Sequence, residues 1–253
     1  MCSSDLSDLT LSYVYIWLPT KKLIKRINHL IKLPNKGRES DTYLYHVQHY
    51  PHGLPDEWTV FCQGDPFPHS PNFLKLLAQR NHWKDIQPLT SAYLHDGQSP
   101  PTVLLDIETD EWVRGIPVRT EVLSASTLRM IGWNDPHGAS YIDSYWEHFG
   151  VPKGWSLSGH FLEQCGLTKL AEQAWQATLA RSVYAAIFGI RNKQMKNLPK
   201  KCLPRMRKLA SEHTSVGFVY ERLWLHLFGL PFINTEVENK SATKSHTQVL
   251  QSL

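Results

Sequence analysis

The chain has 253 residues, enough for one large domain or two small ones, and its 42% hydrophobic and 20% charged content is ordinary for a soluble globular protein. The formal net charge of +4 comes partly from two basic clusters, Lys21, Lys22, Lys25 and Arg26, and residues 193–208. Neither is interleaved with a nucleic-acid motif, so both read as solvated faces or a site for a small anionic substrate, and no nucleic-acid partner is expected. Cys2, Cys62, Cys165 and Cys202 stand far apart without a C-x-x-C pair, which argues against a zinc knuckle and a disulfide framework.

Taken in chain order, Met1-Cys-Ser-Ser-Asp-Leu6 resembles the translation of a sequencing-library adapter, so residues 1–10 are expected to be non-native or disordered, and a native first strand to be missing. Residues 11–18 form a β-branched and aromatic run too short to span a membrane, with Lys21 soon after. No secretory signal is evident, and a cytoplasmic placement is favoured. A basic, half-apolar segment over 23–33 is broken by Pro34 and Gly37. Over 39–50 the spacing of Tyr43, Leu44, Val47 and Tyr50 predicts a helix, stopped by Pro51 and Pro55. Residues 59–62 predict a short buried strand. Ser70-Pro71 predicts a helix start, with Phe73, Leu74, Leu77 and Ala78 on its core face. A second strand is expected over 102–107. Residues 109–150, rich in Trp and Tyr, read as loops over a site or a small sheet.

Thr168 is expected to cap a long helix whose stripe is Leu170, Ala174, Trp175, Leu179, Val183 and Ile187, closed by Gly189. A basic loop holding Pro199 and Pro204 follows, then a last helix over 216–228 and, beyond Asn234, a polar tail expected to be disordered. Strand, helix, strand, helix, strand and then helices point to one α/β domain over 11–233. It is expected as a three-layer sandwich with a mixed, mostly parallel sheet and a helical C-terminal third.

Several residues carry candidate chemistry. Gly37 permits close backbone approach, Arg38 offers a fork for phosphate or carboxylate, and the helix beginning there aims free N–H groups at the same spot. A turn glycine beside an Arg38–Glu39 ion pair is the plainer reading. Gln63-Gly64-Asp65 closes a strand where a carboxylate can hold a divalent cation, or form an ordinary turn with Pro66. Asp106 and Glu108 share a strand face, more simply as surface residues. His46 and His49 are three apart, with His52 and His69 near in sequence; solvent-facing or hydrogen-bonding roles are favoured over a shared metal. In the last helix Glu221 lies three residues before Trp224, and a carboxylate beside aromatics is the setting that raises a pKa for general-base work. On spacing alone a surface pair with Arg222 is the favoured reading.

The segments Asn35-Lys-Gly-Arg-Glu39, Tyr43-Leu44, Leu54-Pro-Asp56, Phe61-Cys-Gln-Gly-Asp65, Glu221-Arg-Leu-Trp224 and Phe228-Gly229 resemble a domain-of-unknown-function family of fungi and bacteria, over about residues 34–229. More distantly, Asn-x-Gly, a helix and a strand of the form Phe-x-x-x-Asp are similar to inverting glycosyltransferases of the A-type fold. That resemblance implies a nucleotide-sugar donor and a glycan or other hydroxyl acceptor. It implies Gln63 and Asp65 at the two positions of an Asp-x-Asp motif, with Asp65 on Mn2+ or Mg2+, and Glu221 as catalytic base. Asn35, Gly37, Arg38, Glu39, Gln63, His69, Arg222 and Trp224 would bind substrate, and residues 159–161 would lie on a strand facing the acceptor. Gln63 stands where those enzymes have a carboxylate, which implies metal-independent or lost activity. The rival readings are a non-catalytic carbohydrate- or nucleotide-sugar-binding domain and a metal-dependent hydrolase using Asp65, His69 and neighbouring histidines. Oligomeric state is not specified.

Overall fold

The structure, a computed structural model, describes residues 14–15, 30–31, 33, 36–49, 57–91, 112–131 and 134–234. Strands β1 (Val14–Tyr15) and β2 (Leu30–Ile31) pair in parallel. Helix α1 (Arg38–His49) follows, with Glu39 and Asp41 in its first turn, where the helix dipole favours acids. Its buried Tyr43, Leu44 and Val47 are the expected face. Next come β3 (Trp58–Phe61), α2 (Phe73–Ala78) and β4 (Ile86–Pro88). Ser70 does not cap α2: its hydroxyl donates to the Leu89 carbonyl at 2.5 Å, and Asn72 takes the cap position.

The aromatic stretch expected as loops or a small sheet holds a hairpin, β5 (Trp112–Val113) with β6 (Ile116–Pro117), then β7 (Thr120–Ser124) and an unexpected helix, α3 (Pro136–His148). Asp135 caps α3 by accepting from the Gly138 N–H at 2.9 Å, with Pro136 in the first turn. Helices α4 (Leu157–Gln164) and α5 (Thr168–Gln176) pack on each other. Residues 159–161 are therefore helical: Ser156 caps α4, and Gly159 gives room for the Trp175 ring, 2.5 Å from where a Cβ would stand.

The long helix expected from Thr168 ends at Gln176. Beyond it lie β8 (Leu179–Val183) and β9 (Phe188–Arg191), joined by a single helical turn over 184–186. The apolar stripe misleads because Leu179, Val183 and Ile187 stand four apart and fit a helical spacing, while pairing with β7 along its length and packing against the last helix hold the segment extended. Helix α6 (Leu203–Ala210) starts on Pro204, where the missing N–H costs nothing, in place of the expected loop. Helix α7 (Thr214–Leu227) is the expected last helix.

The fold is mixed α/β. Strands β3, β9 and β4 form an antiparallel sheet in that order, β7 pairs antiparallel with β8, and β1 with β2 is the parallel pairing among the described residues. The main core gathers around α7, whose Val216, Val219, Tyr220, Leu223, Trp224, Leu227 and Phe228 are buried. A second cluster of Phe73, Leu76, Leu77, Trp83, Leu89 and Ile187 lies under α2. No helix among the described residues is long and apolar enough to cross a membrane. The strand expected over 102–107, Asp106, Glu108, His52, Asn35, residues 1–10 and the tail beyond Asn234 lie outside the described residues, as does most of 11–33.

Candidate functional site

Helix α7 is buried at every position from Ser215 to Phe228 except Glu221, which is half-buried. A polar residue in so apolar a helix needs partners. The Glu221 carboxylate accepts the backbone N–H of Ala185, and its main-chain carbonyl accepts the Ser182 hydroxyl at 3.1 Å. The turn supplying that N–H is strained. Ala185 and Ala186 both have left-handed backbones, φ 58° and 53°, each costing an alanine about 1 kcal/mol. Tyr43 of α1 steadies the turn by donating to the Ala186 carbonyl at 3.1 Å. Burial pushes the Glu221 carboxyl up from 4.5 to about 7; Arg222 and the Ala185 N–H oppose the rise, while Glu39 and Asp135 add to it.

The neighbours come from five elements. Burial raises the Tyr43 hydroxyl well above its usual range, with Cys62, Glu39 and Glu221 adding to the effect, so the start of α1, the end of β3 and the middle of α7 face one another electrostatically. Cys62 itself is pushed up to about 11 by burial and stays a neutral thiol. Across the strained turn, the Tyr184 ring lies beneath the Arg119 guanidinium at 4.1 Å, and His69 meets it edge-on at 5.4 Å. Arg119 forms a buried ion pair with Glu121 on β7. Thr90 donates to the Tyr184 carbonyl at 2.5 Å.

Arg38 opens α1 with a left-handed backbone, φ 54°, and its guanidinium sits 4.9 Å over the Phe218 ring, which stacks on Tyr141 at 3.9 Å. Gly217 leaves the space that the Arg38 chain crosses; a Cβ there would lie 3.5 Å from Arg38 Cδ. Arg38 remains exposed, a cation on an aromatic seat on α7. Gly37 has φ +74°, and a Cβ on it would stand 2.7 Å from the Ala210 carbonyl oxygen, so its close approach is to the backbone of α6.

Other sequence-predicted residues take structural posts. Arg222, 3% exposed, donates to the Leu128 carbonyl at 3.0 Å, the Phe218 carbonyl at 3.3 Å and Asp135 at 2.8 Å. All three guanidinium nitrogens are engaged, and the residue pins α7 to the entrance of α3. A cavity of about 100 Å³ lined by Leu128, Met130, Asn134 and Asp135 adjoins this pair. Trp224 is fully buried between Tyr220 at 5.1 Å and Phe228 at 5.9 Å, a core pillar. His46 is buried against Phe61 and lowered to about 4 by burial, while His49 is exposed and contacts the Tyr45 carbonyl at 2.9 Å. The two imidazoles therefore occupy different faces.

Asp65 is exposed beyond β3, and one of its carboxylate oxygens accepts the Phe67 N–H at 3.2 Å, an Asx turn. Gln63 beside it is half-buried. No group of three or more His, Cys, Asp or Glu side chains among the described residues is placed to hold a metal. One carboxylate and one amide fit a hard cation only where a bound phosphate supplies further oxygens.

The structure thus sets Glu39 against Glu221 electrostatically, brings His69 to Tyr184 beside them, seats Arg38 on Phe218 of the same helix, and leaves Asp65 apart from these contacts. Sequence reasoning missed Arg119, Glu121 and Tyr184. The Arg-x-Glu spacing on a strand, which puts both side chains on one face, was the available signal for the first two; Tyr184 carried none. Compared with protein-family models, curated proteins and solved structures, the chain matches none of them.

Proposed function

We propose that the chain is a glycosyltransferase-like protein that transfers a sugar from a nucleotide-sugar donor to a hydroxyl of a glycan or other acceptor. The observation that carries this reading is the half-buried Glu221 carboxyl on α7, raised to about 7 by burial with Glu39 of α1 adding like charge. A general base works best with a pKa near the working pH. Glu221 would take the acceptor hydroxyl proton as that oxygen forms its bond to the anomeric carbon. The bond from that carbon to the donor diphosphate breaks, and the nucleoside diphosphate leaves with the electron pair. Gly37 and Arg38 would lie on the donor side, Arg38 meeting the negative charge with its fork, and the resemblance assigns Asn35, outside the described residues, to the same side. His69 and Glu39 flank the sugar.

Asp65 and Gln63 would hold Mn2+ or Mg2+ together with diphosphate oxygens, the ion neutralising charge on the leaving group. The reading carries with it a mostly parallel sheet of the A-type kind, whereas the described strands pair in parallel only at β1 with β2, over two residues, and antiparallel in β3-β9-β4 and β7-β8.

Binding of UDP- and GDP-sugars with and without manganese, for wild type and Asp65→Ala, tests the donor side. Sugar transfer by Glu221→Gln tests the base. We expect donor binding that weakens in Asp65→Ala, and transfer reduced about 100-fold or more in Glu221→Gln with donor binding kept. Folded wild-type protein that binds no sugar nucleotide overturns the proposal. Binding without transfer, unchanged in Glu221→Gln, favours a non-catalytic module.

A further inference from the structure

Residues 191–211 contain eight of the chain's 27 basic residues and none of its 23 acidic ones, so the rest of the chain carries four more acids than bases. Three of the eight are used internally. Lys193 and Arg191 share Asp85 at 2.6 and 3.6 Å, and Arg207 bridges α6 to α1 through Asp41 at 2.7 Å. The other five, Lys196, Lys200, Lys201, Arg205 and Lys208, are exposed and have no ion-pair partner among the described residues. Their placement is electrostatically unfavourable. Lys200 and Lys201 precede α6, whose positive dipole end lies there with no capping side chain. The inward face of α6 is closed by Leu203, Met206, Leu209 and Ala210, so Arg205 and Lys208, three apart, look outward on the same side.

We propose that this basic face binds the anionic headgroup surface of a lipid bilayer, reversibly and without insertion. Four of the five free cations are lysines, compact point charges suited to a diffuse sheet of anions. The arginine best placed to fork a single phosphate, Arg207, is spent on Asp41 and Gln48 and lies over the Tyr45 ring. The stretch contains no aromatic residue on which a base could stack, which disfavours a single-stranded nucleic acid. Its apolar side chains on α6 point into the core, so contact is electrostatic and ends at the headgroups. The face adjoins the candidate site, because Gly37, between exposed Lys36 and Arg38, packs on Ala210 at the end of α6. The inference is independent of the sugar-transfer reading.

The test is co-sedimentation of the full chain with vesicles of phosphatidylcholine alone, or with about 30% phosphatidylserine, for wild type and Lys200→Gln/Lys201→Gln/Arg205→Gln/Lys208→Gln. Each basic residue near an anionic surface contributes about fivefold to partitioning, so the quadruple variant loses several hundredfold. Wild-type binding is expected only to the serine-containing vesicles and is lost at about 0.5 M salt. All four positions are exposed, and an unchanged thermal midpoint of the variant confirms that its fold is kept. Equal binding to neutral vesicles, an unaffected variant, no sedimentation at low salt, or tighter binding to RNA or duplex DNA at matched charge overturns the proposal.

Discussion

Replacing Glu221 with glutamine separates the charge of the carboxyl from its shape. In the folded protein burial raises its pKa from 4.5 to about 7, so the fold favours the protonated form. The stabilising preference is fully present below pH 4.5, fades as pH rises towards 7, and is gone above it. At about 1.4 kcal/mol per pKa unit, the ionised carboxylate costs the fold about 3 kcal/mol at pH 8. Glu221 is half-buried, so solvent recovers part of that, and the glutamine carbonyl can still accept the Ala185 N–H. The variant should be about 1–3 kcal/mol more stable than wild type at pH 8, with the difference shrinking through pH 7 and vanishing near 4.5. Urea unfolding of both proteins at intervals from pH 5 to 8 reads this directly. A glutamine variant less stable than wild type at pH 8, or a difference that does not change with pH, refutes the account of the niche.

Two further perturbations address the frame around the niche. Gly37→Ala adds a Cβ 2.7 Å from the Ala210 carbonyl oxygen at a left-handed backbone, and should cost about 2–4 kcal/mol in urea unfolding. His46 and His226 are both lowered from 6.5 to about 4, chiefly by burial, so each withdraws stability as pH falls below 6.5, by about 1.4 kcal/mol per unit. His46→Leu should remove one of the two histidine contributions, lowering the slope of unfolding free energy against pH between 6.5 and 4.5 by about 1.4 kcal/mol per unit, with the opposing Glu221 contribution the same in both proteins.

What the sequence reveals follows from which signals have one physical cause. Helix α1 and strand β3 are legible because Tyr43, Leu44 and Val47 bury one side of a helix whose other side is wet, and the run around Phe61 is short and apolar. Helix α7 is legible from its length and from Gly229, which has φ 109° just after it. The segment 177–191 is not, since its four-residue apolar spacing fits a helix while pairing with β7 and packing on α7 decide for strands. The site divides the same way. Glu221 stands out as the acid in an apolar helix, but Arg222 and Trp224 beside it look equally notable in sequence and serve as a pin and a pillar. Arg119 and Tyr184 reach the site only because β7 pairs with β8, and such a long-range register leaves little trace in local composition.

The strained turn and the half-buried carboxylate are two parts of one balance. Were Glu221 sealed in apolar surroundings with no donor, burial would keep it protonated and useless as a base. Were it met by several N–H groups, it would stay ionised but hold a proton too weakly to abstract one well. The structure gives it one backbone donor, Ala185, from a turn held in a costly conformation and tied down by Tyr43 and Thr90. Glu39 adds like charge from α1, and Arg222, committed to Asp135 and two carbonyls, tempers it from the next position on α7. The result near 7 leaves both protonation states populated at neutral pH. The left-handed alanines are both buried, Ala186 in the main core cluster and Ala185 in the second. Their expense is accounted for if the direction of the Ala185 N–H is what the turn is built to fix.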